Sequence, residues 1–90
     1  MQALRYTDEG PLEGAYLYYR PVADVSPAAI GRLCICVVAR AGEETETLLA
    51  VPRPGVTQAG VYTLRDISGR LVAEDAWLES ASPVVWIQTA

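Results

Sequence analysis

The stretch GRLCICVVAR, residues 31–40, is the most apolar run in the chain. It is rich in residues that favour β-structure, and turn formers bound it on both sides, with Gly31 before it and Ala41-Gly42 after it. A short apolar run between turn signals is typical of a strand that is buried on both faces. We therefore predict that residues 32–40 form the central strand of the fold.

Two cysteines lie in this predicted strand. Side chains two residues apart on a strand point the same way, so Cys34 and Cys36 share one face. A disulfide between them would have to span about 7 Å between the two Cα atoms, at the upper limit of disulfide geometry. Structural zinc needs four ligands, and the chain has two Cys and no His. We predict buried thiols and no metal site, since a metal would need ligands from a second chain.

The composition excludes most enzyme classes. The chain has 90 residues, a net charge of −4, and no Lys, His, Asn or Phe. Without His, the commonest acid/base near neutral pH and the Ser-His and Cys-His pairs are absent. Without Lys there is no Schiff base and no Ser-Lys dyad. We predict a single domain that is not an enzyme and uses no cofactor.

Charge and hydropathy limit the partners. The seven cations are all Arg and are dispersed along the chain, so no basic stripe is present for phosphates, and we predict no direct nucleic-acid binding. No apolar stretch reaches the roughly 18 residues of a membrane span, and no signal peptide is visible. We predict a cytoplasmic protein. Glu74, Asp75 and Glu79 are predicted to be solvent-facing charges on an edge strand.

Turn signals divide the rest of the chain into further strands. Ser26, Pro27 and Gly31 predict one helical turn between a cap and a closing glycine. Residues 52–55, PRPG, are predicted to end a strand, and Pro83 to open the last one. The six predicted strands are 15–20, 32–40, 45–51, 60–66, 71–79 and 82–89. The predicted class is all-β, a small, strongly bent, barrel-like assembly in residues 14–90, preceded by a flexible or partly ordered arm at 1–13.

The aromatic residues are candidates for an association surface. In residues 15–20, alternation places Tyr16 and Tyr18 on one face, and Leu17 and Tyr19 on the other. Aromatic side chains dominate both cores and interfaces. The final apolar strand, PVVWIQTA, is either a pairing edge for another subunit or a strand internal to the assembly. We predict protein-interaction residues at four positions: Val84, Trp86, Gln88 and Trp77.

The order of segments resembles a known family. GAYLYYRP, GRLCICVV, LLAVPRPG, GVYTLRD and WLESASPVVWI follow one another as in the carboxy-terminal domain of LexA-like and phage-repressor-like regulators, which are self-cleaving Ser-Lys peptidases. The resemblance covers residues 14–88. It implies a strongly bent all-β fold that dimerises and that usually follows a DNA-binding helix-turn-helix domain.

The family's catalytic dyad has no counterpart here. Its nucleophile lies in a Gly-Asp-Ser-Met stretch before the strand that begins at Gly14, where this chain reads MQALRYTDEGPLE without a serine. Its lysine base matches Ala50, and Arg53 cannot replace it because a guanidinium stays protonated. The resemblance therefore implies a domain without autoproteolysis.

These observations predict a non-catalytic association domain that either forms the dimerisation part of a transcriptional regulator or acts as a small stand-alone modulator of one. The expected partner is a second copy or another protein, as a homodimer or a mixed dimer with a transcriptional regulator. If Met1 is the true start, we expect any DNA-binding domain to come from that partner. Two alternatives stay open: a truncated or mutated Ser-Lys autopeptidase domain of a repressor, and a small acidic inhibitor of a nucleic-acid-binding protein.

Overall fold

The computed structural model describes residues 1–39, 42 and 44–89. It contains six strands and one short 3₁₀ turn, Pro27–Ala29. The strands are β1 (Gln2–Arg5), β2 (Tyr16–Tyr19), β3 (Cys34–Val38), β4 (Glu46–Pro54), β5 (Val61–Arg65) and β6 (Leu71–Gln88). The all-β prediction is confirmed, with six strands and a single helical turn in the described part of the chain.

All strand pairings are antiparallel, and the sheet order is β1-β2-β6-β3-β4-β5. Because β5 also pairs with β6, the four strands β6, β3, β4 and β5 form a ring-like circuit. β1 and β2 extend the sheet beyond this circuit along the final residues of β6. The bent character predicted from the sequence comes from β6, which pairs in turn with β5, β3 and β2.

β3 is the central strand, as predicted. It pairs with β4 on one edge and with β6 on the other. Cys34 and Cys36 lie together in the main core cluster, and Ile35, on the opposite face, is also buried. Burial on both faces explains why this segment is almost continuously apolar.

The prolines do not break the strands, contrary to the sequence prediction. β4 continues through residues 52–54, and β6 is one strand across Pro83 rather than two. Gly55 N–H donates to Val61, so alternate residues of β4 direct their N–H groups toward β5. The backbone nitrogens of Pro52 and Pro54 therefore face the other edge of β4, where the pairing with β3 has already ended. Because these prolines lack an N–H only on that edge, the ladder with β5 is intact.

The same geometry accommodates Pro83. Val84 N–H donates to the Leu33 carbonyl on the β3 side. The backbone nitrogen of the preceding residue, Pro83, therefore faces the other edge of β6. There, Ala81 N–H donates to the Asp24 carbonyl and Val22 N–H to the Ser82 hydroxyl, before pairing with β2 begins. Pro83 thus lies where no N–H is required.

Two local details add to what the sequence predicts. The arm predicted for residues 1–13 contains β1, a strand that its composition did not indicate. The 3₁₀ turn lies where predicted, with Pro27 at its start, but Ser26 makes no side-chain capping hydrogen bond. The turn predicted at 41–44 falls partly on residues 41 and 43, outside the described residues.

The carboxylates of β6 are not all solvent-facing charges on an edge strand. Residues 71–77 pair with β5, and the register shifts near Asp75, which adopts a positive φ of 51°. Its Oδ1 is buried and has no hydrogen-bond partner among the described residues, whereas Glu74 and Glu79 are exposed as predicted. The bulge at this point re-aims the Asp75 side chain toward Gly55, where a Cβ would lie 2.8 Å from Oδ1.

Candidate protein-interaction face

Two cross-strand rows form an exposed surface on β1, β2 and the end of β6. Ladder partners place Ala3, Tyr18 and Trp86 in one row. The neighbouring row contains Arg5, Tyr16 and Gln88. Directly paired residues present their side chains on the same face, and the two rows are about 6.8 Å apart along the strands. We call these six residues the aromatic face.

The centre of the aromatic face is an aromatic pair. The rings of Tyr18 and Trp86 stack with centroids 5.4 Å apart and planes at 26°. The Tyr18 hydroxyl donates to Gln88 Oε1 at 3.0 Å, which joins the two rows. Even so, 62% of Trp86 and 44% of Tyr16 stay exposed. An exposed, pre-arranged Tyr/Trp surface is typical of a site that binds another molecule.

The opposite side of the same three strands anchors them. Leu17 is fully buried, with Leu4 and Ile87 beside it in the ladder and partly buried. Beyond β1, Tyr6 N–H donates to the Ala15 carbonyl. The aromatic face is therefore held on a packed, hydrogen-bonded support, and its exposure is not a consequence of loose strands.

The three segments that form the aromatic face contain no carboxylate side chain. Residues 1–7, 15–23 and 80–89, which make up β1, β2 and the end of β6 with their flanks, contain no Asp or Glu. They carry Arg5 and Arg20, both exposed. All 11 carboxylate side chains lie in the other segments. Arg5 on the aromatic face nevertheless shares surface grooves with Glu13, Asp8 and Asp66, so this end of the molecule carries charges of both signs.

β1 also presents an unpaired backbone edge. The Tyr6 N–H donates to the Ala15 carbonyl, and the Tyr6 carbonyl accepts from the Gly14 N–H, so both backbone groups of Tyr6 face the β2 side. Alternation along an antiparallel pair then directs the N–H and C=O groups of Leu4 to β2, and those of Ala3 and Arg5 to the other edge. No strand among the described residues covers that edge. Such an edge is a template for an additional strand.

The structure brings together only part of the predicted interaction set. Trp86 and Gln88 belong to the aromatic face. Val84 is only partly exposed and pairs with Tyr19 at a bulge. Trp77 is 52% exposed but pairs with Val61 in β5, at the other end of β6. Sequence reasoning placed Tyr16 and Tyr18 on one face but did not select them, because their partners on β6 are distant in sequence.

The sulfur atoms are not available for chemistry. Both cysteines are free and fully buried, which confirms the prediction of buried thiols. Cys34 Sγ donates to the Arg32 carbonyl at 3.3 Å, and Cys36 Sγ to the Ala50 carbonyl at 3.8 Å. Burial raises the pKa of Cys34 to about 11 and that of Cys36 to about 12, so both are protonated at neutral pH.

Ala50, the position that the resemblance would align with a lysine, lies in this same core. It is 0% exposed and pairs with Cys34. A residue in this environment has no path to solvent for proton transfer. A groove of about 430 Å³ lies elsewhere, between the 3₁₀ turn and residues 54–62. Among the described residues, no charged side chain lines it.

The described part of the chain contains neither a metal-binding cluster nor a membrane-spanning helix. No group of three or more His, Cys, Asp or Glu there could hold a metal ion. Within residues 1–39, 42 and 44–89, no helix has the length and apolarity needed to cross a membrane.

Comparison with known proteins adds no family. No protein-family model, no curated protein and no solved structure matches the chain.

Proposed function

We propose that this protein is a non-catalytic association domain that binds a protein partner through the aromatic face. The observation that supports this most directly is the exposed Tyr18–Trp86 stack on a packed, hydrogen-bonded support of three strands. Tyr, Trp and Arg are the residue types enriched at the energetic centres of interfaces. All three occur together on this face.

The lack of His, Lys and an accessible thiol supports a binding role. The chain has no His and no Lys, and its two thiols are buried with raised pKa values. The position that matches the family's lysine is the buried Ala50. The resemblance to LexA-like and phage-repressor-like domains suggests the context: a homodimer, or a mixed dimer with a full-length transcriptional regulator.

A matched pair of tryptophans tests the proposal. Trp86→Ala removes the centre of the aromatic face, and Trp77→Ala removes a similarly exposed indole that lies against a different strand. Self-association is measured by sedimentation velocity over a range of concentrations, and partner binding by affinity purification from the native host with mass spectrometry. We expect Trp86→Ala to weaken association at least about tenfold and Trp77→Ala to leave it unchanged.

The proposal is rejected if both variants behave as the parent in both measurements, because the aromatic face is then not an interface. Recovery of a transcriptional regulator in the Trp86-dependent fraction would support the mixed-dimer context.

The segregation of carboxylates supports one second candidate, the acidic inhibitor of a nucleic-acid-binding protein. In that case the partner is basic and binds away from the aromatic face. Binding would weaken steeply with salt and would not depend on Trp86.

A further inference from the structure

We propose that the groove between the 3₁₀ turn and residues 54–62 binds a small, uncharged, flat aromatic molecule that carries an N–H donor. We call it the neutral groove. It goes beyond the proposed function, because it is built from the 3₁₀ turn, the end of β4 and the start of β5, whereas the aromatic face lies on β1, β2 and the end of β6.

The neutral groove has the size and the lining of a small-molecule site. Its volume is about 430 Å³, within the roughly 300–1,000 Å³ that is usual for ligand pockets. Val56, on its rim, is 86% exposed, so a ligand that covers this side chain gains from removing apolar surface from water. Apolar and ring side chains line both walls: Val25, Pro27, Ile30, Pro54, Val56 and Tyr62.

The charge of the lining favours a neutral ligand. No Arg, Asp or Glu among the described residues lines the neutral groove. By contrast, the grooves beside Arg5 contain charges of both signs, and the groove beside Trp77 contains Glu74 and Asp75. A charged ligand in the neutral groove would lose hydration without gaining an ion pair.

The Pro54 carbonyl supplies a hydrogen-bond acceptor. Gly55 N–H donates to the Val61 carbonyl, so Gly55 faces β5. The carbonyls of Pro52 and Pro54 therefore face the other edge of β4. There the Pro52 carbonyl accepts from Gly31 N–H beside the 3₁₀ turn, whereas the Pro54 carbonyl has no partner among the described residues. An N–H group of the ligand fits this acceptor.

The prolines favour a free ligand over a peptide strand. Pro52 and Pro54 have no N–H on this edge of β4, so an extended peptide cannot pair with it as an added strand. Pro27 and Pro54 instead offer rigid rings on the two walls, and the half-buried Tyr62 offers a third ring. A flat aromatic molecule packs against such rings at little cost in side-chain entropy.

The probe is indole, titrated into the full ¹⁵N-labelled chain and followed by NMR. We expect saturable shifts at the backbone amides of Ile30 and Val56, with a Kd of about 1 mM. The two tryptophan side chains are internal reporters. The Trp77 N–H should shift, because a Cβ at Gly60, which lines the groove, would lie 3.1 Å from Trp77 Cζ3. The Trp86 N–H should not.

Two ligand comparisons test the chemistry. Benzofuran has nearly the shape of indole but no N–H, and we expect it to bind about fivefold more weakly, which is the effect of one hydrogen bond. Indole-3-acetamide is neutral, whereas indole-3-acetate is an anion of similar size. We expect the amide to bind at least about threefold more tightly than the anion.

A matched pair of valine variants locates the site. Val56→Asp removes an apolar contact and adds a charge at the rim, and we expect the affinity for indole to fall about fivefold. Val22→Asp adds the same charge at another exposed valine, outside the groove, and should bind indole as the parent does. Unchanged β2 and β3 amide shifts in both variants verify the fold.

Several outcomes would overturn the inference. These are the absence of saturable shifts, shifts at Trp86 without shifts at Trp77, equal affinities for indole and benzofuran, tighter binding of the acetate than of the acetamide, or no effect of Val56→Asp. Tighter binding of the peptide acetyl-Gly-Trp-Gly-amide than of indole would assign the groove to a partner's side chain and would also overturn it. Association that depends on Trp86 is measured separately, so failure here leaves the proposed function in place.

Discussion

The indole of Trp86 stacks on the phenol ring of Tyr18 across the β2–β6 ladder, with centroids 5.4 Å apart. The two side chains come from opposite ends of the sequence, so the contact reports directly on whether β2 is docked. We expect a double-mutant cycle with Trp86→Ala and Tyr18→Ala to give a coupling energy of about 0.5–1.5 kcal/mol by urea denaturation. Strictly additive effects would mean that the rings are not in contact in solution.

The buried thiols predict a loss of stability at alkaline pH. In the unfolded chain they ionise near the ordinary pKa of 9.0, whereas in the fold their pKa values are raised to about 11 and about 12. Between these limits the unfolded state binds fewer protons than the folded state, so the free energy of unfolding falls as pH rises.

The expected slope is up to about 1.4 kcal/mol per pH unit for each thiol above about pH 9, with no contribution below it. Urea denaturation at pH 8, 9 and 10 measures it. The double variant Cys34→Ala, Cys36→Ala should show a shallower pH dependence, because it lacks both buried thiols. Equal slopes would show that the thiols are not buried.

Asp75 holds a backbone conformation that costs energy. Its positive φ of 51° suits glycine, and its Oδ1 is buried without a partner among the described residues. We expect Asp75→Gly to raise the free energy of unfolding by about 1 kcal/mol. Asp75→Ala, which removes the carboxylate but retains the strained φ, should stabilise less. A destabilised glycine variant would contradict the strain.

The buried position of Ala50 makes a prediction about the family resemblance. Ala50→Lys would place an ammonium group in the core, and we expect a loss of several kcal/mol or failure to fold. Thr47→Lys, at an exposed site on the same strand, is the matched control and should be tolerated. Thermal denaturation of both variants measures the difference. A stable Ala50→Lys variant would instead favour the autopeptidase alternative.

The local sequence pattern was sufficient to predict those strands whose side chains lie in a uniform environment along the strand. The apolar run at residues 32–40 predicted β3, and alternation predicted the shared face of Tyr16 and Tyr18. Pattern failed at Pro83, where the direction of one N–H decides whether a proline breaks a strand. That direction depends on the neighbouring strand, which the local sequence does not specify.

The candidate site was predictable only in part, for a related reason. Trp86 and Gln88 were selected as members of an apolar final strand. The aromatic face, however, exists because β2 pairs with residues 84–88, and a long-range register of this kind leaves no local signal. The acid-free character of the face arises in the same way, since it depends on which segments become neighbours.

The long strand β6 has a consequence for how the protein is made on the ribosome. β1 with β2, and β3 with β4 and β5, are neighbours in sequence and can pair early. β6 holds these two groups together and follows both of them in the chain. We therefore expect the nascent polypeptide to complete its hydrophobic core only after residue 88 has left the ribosomal exit tunnel.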